Sequence, residues 1–254
     1  MAVLEKFLNP IYLDASYIAT LKETLKAKPL SKYLVLDNLL KPEILDQIII
    51  DHQRLEFNEK LDRTGADGSW LPYDGALAGC DPNTLIGELL YSKEWHHYCL
   101  DLMGLASYPR RTEIKMRTHK KEATGFWIHS DAHGGGGGKR DLVSILYFNK
   151  DWSAEDGGLL QLWTKDIVDS PDTTTILPAQ VTGRLDFLNS SRLCVRPAGF
   201  WPYPQAHDLV LVDQIIPAYN RLFICNFKAE PAYHSVTPSN GKVRQGIVQW
   251  LLED

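Results

Sequence analysis

Phe126-Trp127-Ile128-His129-Ser130-Asp131 is an apolar run that closes on an imidazole and a carboxylate two residues apart. On a β-strand, residues i and i+2 project from the same face, so His129 and Asp131 point at one spot and need only a third donor from another strand. His234, in Pro231-Ala232-Tyr233-His234-Ser235-Val236, follows the apolar run Leu222-Phe223-Ile224-Cys225-Asn226 and supplies that donor. Two imidazoles and one carboxylate on one face of iron leave three positions open, enough for a chelating co-substrate and oxygen. An HxD triplet alone arises often by chance and reads equally well as two polar residues at a strand end. Arg244, ten residues after His234, strengthens the metal reading. If Pro238 to Gly241 turns a hairpin, Arg244 returns on the adjacent strand into the same barrel. Its guanidinium would there grip the far end of a dicarboxylate through two charge-assisted bonds. The plain alternative is a surface arginine on an edge strand.

Around this stretch the chain changes character near residue 110. After it come short β runs separated by turns: Glu113–Arg117, Gly125–Ser130, Leu142–Phe148, Leu159–Trp163, Leu209–Val212, Leu222–Asn226 and Gln245–Leu251. Before it, helical spacing predicts helices over Asp14–Ala27, Lys41–Leu55 (with Pro42 in the first turn) and Asn83–Met103, closed by Gly104. Tyr33–Leu36 reads as a short strand, and Thr64–Asp81, rich in Gly, Asp and Pro, as a loop. The pattern is mainly β with flanking α: a barrel or sandwich with the N-terminal helices packed on one sheet. One catalytic domain over 1–254 is expected, with a mostly helical layer over 1–110 and a β core over 111–254. Residues 165–208 lack periodicity and read as a functional loop or lid.

Composition narrows the function. The net charge of −5 gives no basic field for nucleic acid or anionic lipid. No run approaches the roughly 18 apolar residues of a membrane span, and Met1–Lys6 lacks the features of a secretory signal. The four cysteines, Cys80, Cys99, Cys194 and Cys225, are scattered with no CxxC pair, as expected of free thiols in a cytoplasmic protein. No feature of the sequence fixes an oligomeric state.

Read in order, the second half resembles the prolyl-4-hydroxylase-like branch of the 2-oxoglutarate/Fe(II)-dependent oxygenase superfamily. The matching text is His129-Ser130-Asp131, Arg140, Leu142-Val143-Ser144-Ile145-Leu146-Tyr147-Phe148-Asn149-Lys150-Asp151-Trp152, Gly157-Gly158-Leu159, Ile216–Ile224, and His234-Ser235-Val236-Thr237-Pro238 through Arg244 to Trp250. The resemblance implies a double-stranded β-helix (jelly-roll) core. It implies Fe(II) on His129, Asp131 and His234, with 2-oxoglutarate and O2 as the other reagents. Arg244 would pair with the far carboxylate of 2-oxoglutarate, and Tyr147 would hydrogen-bond the same group. Trp250 and Ile145 line the pocket or belong to the core, the core role being preferred. Asp131 argues against halogenation, in which the family has a small residue at that position.

Phe126 stands where the family often has a tyrosine, so a hydroxyl role there is lost. The stretch His133–Lys139 lacks the first glycine and the hydroxyl of a phosphate loop, and reads as a mobile rim or a hairpin tip. His133 is taken as a rim residue or one behind the ligands, and His119, His207 and the pair His96-His97 as surface or partly buried. The implied reaction is hydroxylation of an unactivated C–H bond, with 2-oxoglutarate decarboxylated to succinate. A small-molecule substrate, an amino acid or a natural-product intermediate, is preferred to a protein. The alternatives are a peptidyl prolyl hydroxylase and, from another class, a cupin-like metal protein without 2-oxoglutarate chemistry.

Overall fold

The computed structural model describes residues 2–28, 32–63, 70–105, 111–123, 125–129, 131, 139–165, 209–227 and 233–253. Two antiparallel sheets face each other. The larger has seven strands: β1 (Tyr33–Asp37), β9 (Arg221–Asn226), β6 (Lys139–Tyr147), β11 (Arg244–Glu253), β4 (Arg111–His119), β3 (Trp70–Gly79) and β2 (Asn58–Arg63), in that order. The smaller runs β5 (Phe126–His129), β10 (Tyr233–Val236), β7 (Leu160–Lys165), β8 (Leu209–Ile215).

Strand alternation builds a core on each face of the larger sheet. Outward-facing Leu222, Ile224, Ile247 and Leu251 meet apolar side chains of the helices α1 (Ala2–Phe7), α2 (Ala15–Ala27), α3 (Pro42–Gln53), α4 (Leu85–Leu90) and α5 (Lys93–Leu102). Inward-facing Phe223, Cys225, Val248 and Trp250 meet Leu160, Leu162 and Val236 of the smaller sheet. Each buried aliphatic side chain contributes about 1.5–3 kcal/mol, so the helical layer and the jelly-roll core are held through one shared sheet. Among the described residues no helix is long and apolar enough to cross a membrane.

The expected β-rich second half and helical layer are present, with three local corrections. The helix expected over Asn83–Met103 is two helices, broken at Tyr91 and Ser92. Ser92 caps α5 by accepting from Trp95 N (3.1 Å), and Leu90 O accepts from Gln249 Nε2 (2.6 Å). A tertiary hydrogen bond thus takes the carbonyl that a continuing helix would use. The loop expected over Thr64–Asp81 contains β3, while 64–69 lie outside the described residues. Pro72 suggested a break, but it pairs only with β2, beyond the Gly75–Gly79 stretch that pairs with β4, so its missing N–H costs that ladder nothing. The third correction is β10 itself: Tyr233–Val236 is a strand, too short to announce itself by pattern. Residues 166–208, read as a lid, lie outside the described residues.

Candidate active site

The smaller sheet brings the metal candidates together. In the β5–β10 ladder His234 is directly opposite His129, and opposed residues of an antiparallel pair share a face. Asp131 follows two residues later, its Oδ2 lying 3.8 Å from His234 Nε2. Two donors about 2.1 Å from one divalent ion stand roughly 3.0–4.2 Å apart depending on the angle between them, so this pair fits a common ion. The backbone of His129 is in register with His234; its side chain lies outside the described residues. The donor set of imidazole and carboxylate suits Fe(II) with open positions.

Asp131 is held from behind by residues of the opposite sheet. Trp250 Nε1 donates to Asp131 Oδ2 (3.1 Å). Arg140 Nη1 donates to the Asp131 backbone carbonyl (3.3 Å) and lies 3.8 Å from Oδ1, while Nη2 donates to Glu113 Oε2 (2.8 Å). The Arg140 guanidinium also stacks on the Trp250 indole, 4.3 Å from the ring centroid. Such outer partners fix the angle at which a ligand meets its ion. The Trp250 contact was not legible in the sequence, where a tryptophan in an apolar strand reads as core.

Arg244 enters from the larger sheet. The expected hairpin after His234 is therefore corrected: β10 and β11 belong to different sheets, and the connecting segment crosses between them. Arg244 is 6% exposed, and Nη2 donates to the Tyr147 hydroxyl (3.1 Å). Its Nε is buried without an acceptor, and among the described residues no carboxylate pairs with it. A buried guanidinium without an anion is costly, which fits a cradle for an anionic ligand. Burial raises the Tyr147 hydroxyl above its usual pKa, partly opposed by the Arg244 charge, so it remains a neutral hydrogen-bonding group. Gly158, at φ +63°, backs this pair: a Cβ there would sit 2.9 Å from Arg244 Cδ. The Gly157-Gly158 turn is thus part of the Arg244 seat.

Residues 115–252 match the family model of the 2OG-Fe(II) oxygenase superfamily. The chain belongs to that superfamily. It is an oxygenase, with Fe(II), 2-oxoglutarate and O2 as its reagents. Comparison with curated proteins finds no match. Among solved structures, a prolyl-4-hydroxylase of Pseudomonas putida is similar with a TM-score of 0.57 at 15% identity, over 93% of this chain and 99% of that one. A Trichoplax adhaerens prolyl hydroxylase in complex with a hypoxia inducible factor peptide fragment gives 0.52 at 14% identity, over 94% and 93%. HygX of Streptomyces hygroscopicus, solved with nickel and 2-oxoglutarate, gives 0.52 at 13%, over 90% and 85%. At these identities the likeness is one of fold.

Within this oxygenase the remaining histidines sort differently from expectation in one case. His119, expected at the surface or partly buried, is 5% exposed and directly opposite Arg244 in the β4–β11 ladder. Burial, then the charges of Arg244 and Arg117, push its pKa well below the usual value, so it is a neutral imidazole. The Phe126 ring meets it edge-on at 5.6 Å. His96 is half-buried with Nε2 2.7 Å from Leu90 O, and His97 is exposed, as expected. Ile145 is half-buried opposite Val248 on the inner face. His133, its glycine run and His207 lie outside the described residues.

Proposed function

We propose that the oxygenase hydroxylates an unactivated C–H bond of a small molecule, an amino acid or natural-product intermediate, with His129, Asp131 and His234 holding Fe(II). The observation that carries the site assignment is the buried Arg244, with Tyr147 as its partner and no carboxylate paired with it among the described residues, facing the same interior as Asp131 and His234. In this reading Arg244 and Tyr147 bind the far carboxylate of 2-oxoglutarate and so set the reach of its keto-acid end. Arg140 and Trp250 orient Asp131, while Val143, Val248 and Trp250 keep water from the chamber wall. The bound metal and co-substrate supply the oxidising chemistry; the protein supplies position and exclusion.

The preference for a small molecule rests on the polar row Glu113, Lys115, Arg117 and His119 on the inner face of β4. Peptidyl proline is the second reading, supported by the peptide held by the Trichoplax relative. A cytoplasmic setting fits the reduced thiols of Cys80 and Cys99. The test is anaerobic titration of the Fe(II)-loaded protein with 2-oxoglutarate. A weak visible charge-transfer band is expected, and Arg244→Ala should raise the half-saturating 2-oxoglutarate about tenfold or more, as expected for a lost charged bond. Absence of the band, or an unmoved requirement in Arg244→Ala, overturns the assignment.

A further inference from the structure

The strand β4 carries an anomaly. Its inner positions, directly opposite Trp250, Val248, Gly246 and Arg244, are Glu113, Lys115, Arg117 and His119, while Ile114 and Met116 pack on the helix side. Apart from Arg140, which pairs with Glu113, and Arg221, which pairs with Asp37, the neighbouring inner positions on β6 and β9 are apolar or aromatic: Val143, Ile145, Tyr147, Phe223 and Cys225. A polar row on the inner wall of a sandwich is costly unless it has partners. Glu113 has Arg140, and His119 is neutral beside Arg244.

Arg117 is different. Its guanidinium carbon lies 5.5 Å from the Trp250 ring and 5.8 Å from the Phe126 ring. Its Nε is buried without an acceptor, and among the described residues no carboxylate pairs with it. It stands opposite Gly246, which has no side chain, and sits diagonally across the ladder from Arg244, roughly 7–8 Å away by sheet geometry.

We propose that Arg117 receives a carboxylate carried by the substrate, so that the oxidised molecule is a small organic acid. This rests on the site assignment above. With the site loaded, the two charges of the metal are balanced by Asp131 and the keto-acid carboxylate. Arg244 is balanced by the far carboxylate, and Arg140 by Glu113. Among the described residues Arg117 is the inner-wall guanidinium left over; it lies beside the indole that contacts Asp131, a ring that Lys115 Nζ also approaches at 5.3 Å. One further carboxylate neutralises it and places the rest of a small molecule toward the metal. A proline inside a peptide has no carboxylate of its own to offer.

The test follows the charge-transfer band of the anaerobic Fe(II)·2-oxoglutarate protein. A panel of small carboxylic acids is added, amino, hydroxy and aromatic acids, each beside its carboxamide. At least one acid is expected to perturb the band, its amide binding about tenfold more weakly or worse. Arg117→Gln should weaken that acid by a similar factor with the 2-oxoglutarate half-saturation unmoved, and Arg117→Lys should recover part of the loss. The inference is overturned if the band forms but no acid perturbs it, if amides match their acids, or if Arg117→Gln changes nothing. It is also overturned if that variant instead raises the 2-oxoglutarate requirement, since the anion would then be the co-substrate. A band that never forms sinks the site assignment instead.

Discussion

Replacing Trp250 by Phe removes one N–H and keeps an aromatic face against Arg140. Trp250 is 2% exposed, and its Nε1 donates at 3.1 Å to Oδ2 of Asp131. The acceptor is a carboxylate, and hydrogen bonds to charged groups contribute about 1.5–3 kcal/mol. Arg140 remains on the other side, 3.8 Å from Oδ1, so the carboxylate keeps that restraint. The expected loss in metal affinity is therefore roughly 10- to 100-fold, the range seen when such outer partners of a metal ligand are removed. The assay is equilibrium binding of Fe(II) under nitrogen, repeated with Co(II), whose visible spectrum reports coordination. Thermal melting of the metal-free protein runs in parallel, because the smaller ring also leaves a void whose cost belongs to folding. A Trp250→Phe protein that melts as the parent does and binds metal with parental affinity refutes the claim that this bond orients Asp131.

Two further outcomes follow from buried positions. Gly158→Ala forces a side chain onto a φ of +63° and into Arg244 Cδ. The backbone cost is roughly 1–2 kcal/mol, seen as a melting temperature lower by several degrees, and the displaced guanidinium should raise the half-saturating 2-oxoglutarate; an unchanged requirement would detach Gly158 from the Arg244 seat. His52, fully buried between Phe57 and Phe148, has its pKa lowered from 6.5 to about 4, chiefly by burial. Between those values the unfolded chain binds the proton and the native one does not. Its stabilising contribution is thus whole above pH 6.5 and is lost as pH falls toward 4, by on the order of 3 kcal/mol. Denaturant unfolding across that window should show the slope in the parent and a flatter one in His52→Phe; parallel curves would contradict it.

The sequence by itself carried everything that depends on neighbours along the chain. The near-continuous apolar runs in Leu222–Asn226 and Gln245–Leu251 mark strands with two buried faces, and the spacing of His129 and Asp131 puts both on one side of a strand. Helix signals at Pro42 and Gly104 worked for the same reason, since capping and backbone preference act within a few residues. Arg244 and Tyr147 were legible through ordered motifs, as residue types whose chemistry suits a dicarboxylate.

Tertiary structure decided what those residues meet. Pro72 and nearby glycines argue locally for a loop, yet pairing with β4 over Gly75–Gly79 and with β2 over Trp70–Pro72 makes Trp70–Gly79 a strand. The Asn83–Met103 pattern is helical throughout, yet Gln249 takes Leu90 O and the helix breaks. Trp250 reads as core until the sheets face each other and bring Asp131, 119 residues away, to its indole nitrogen. His119 and Arg117 are unremarkable polar residues in a strand, and become a buried imidazole and an anion seat only because the β4–β11 register sets them opposite Arg244 and Gly246. Strand order and register depend on pairings between distant segments and on which sheet each strand joins, and a one-residue slip would turn every one of these side chains to the other face.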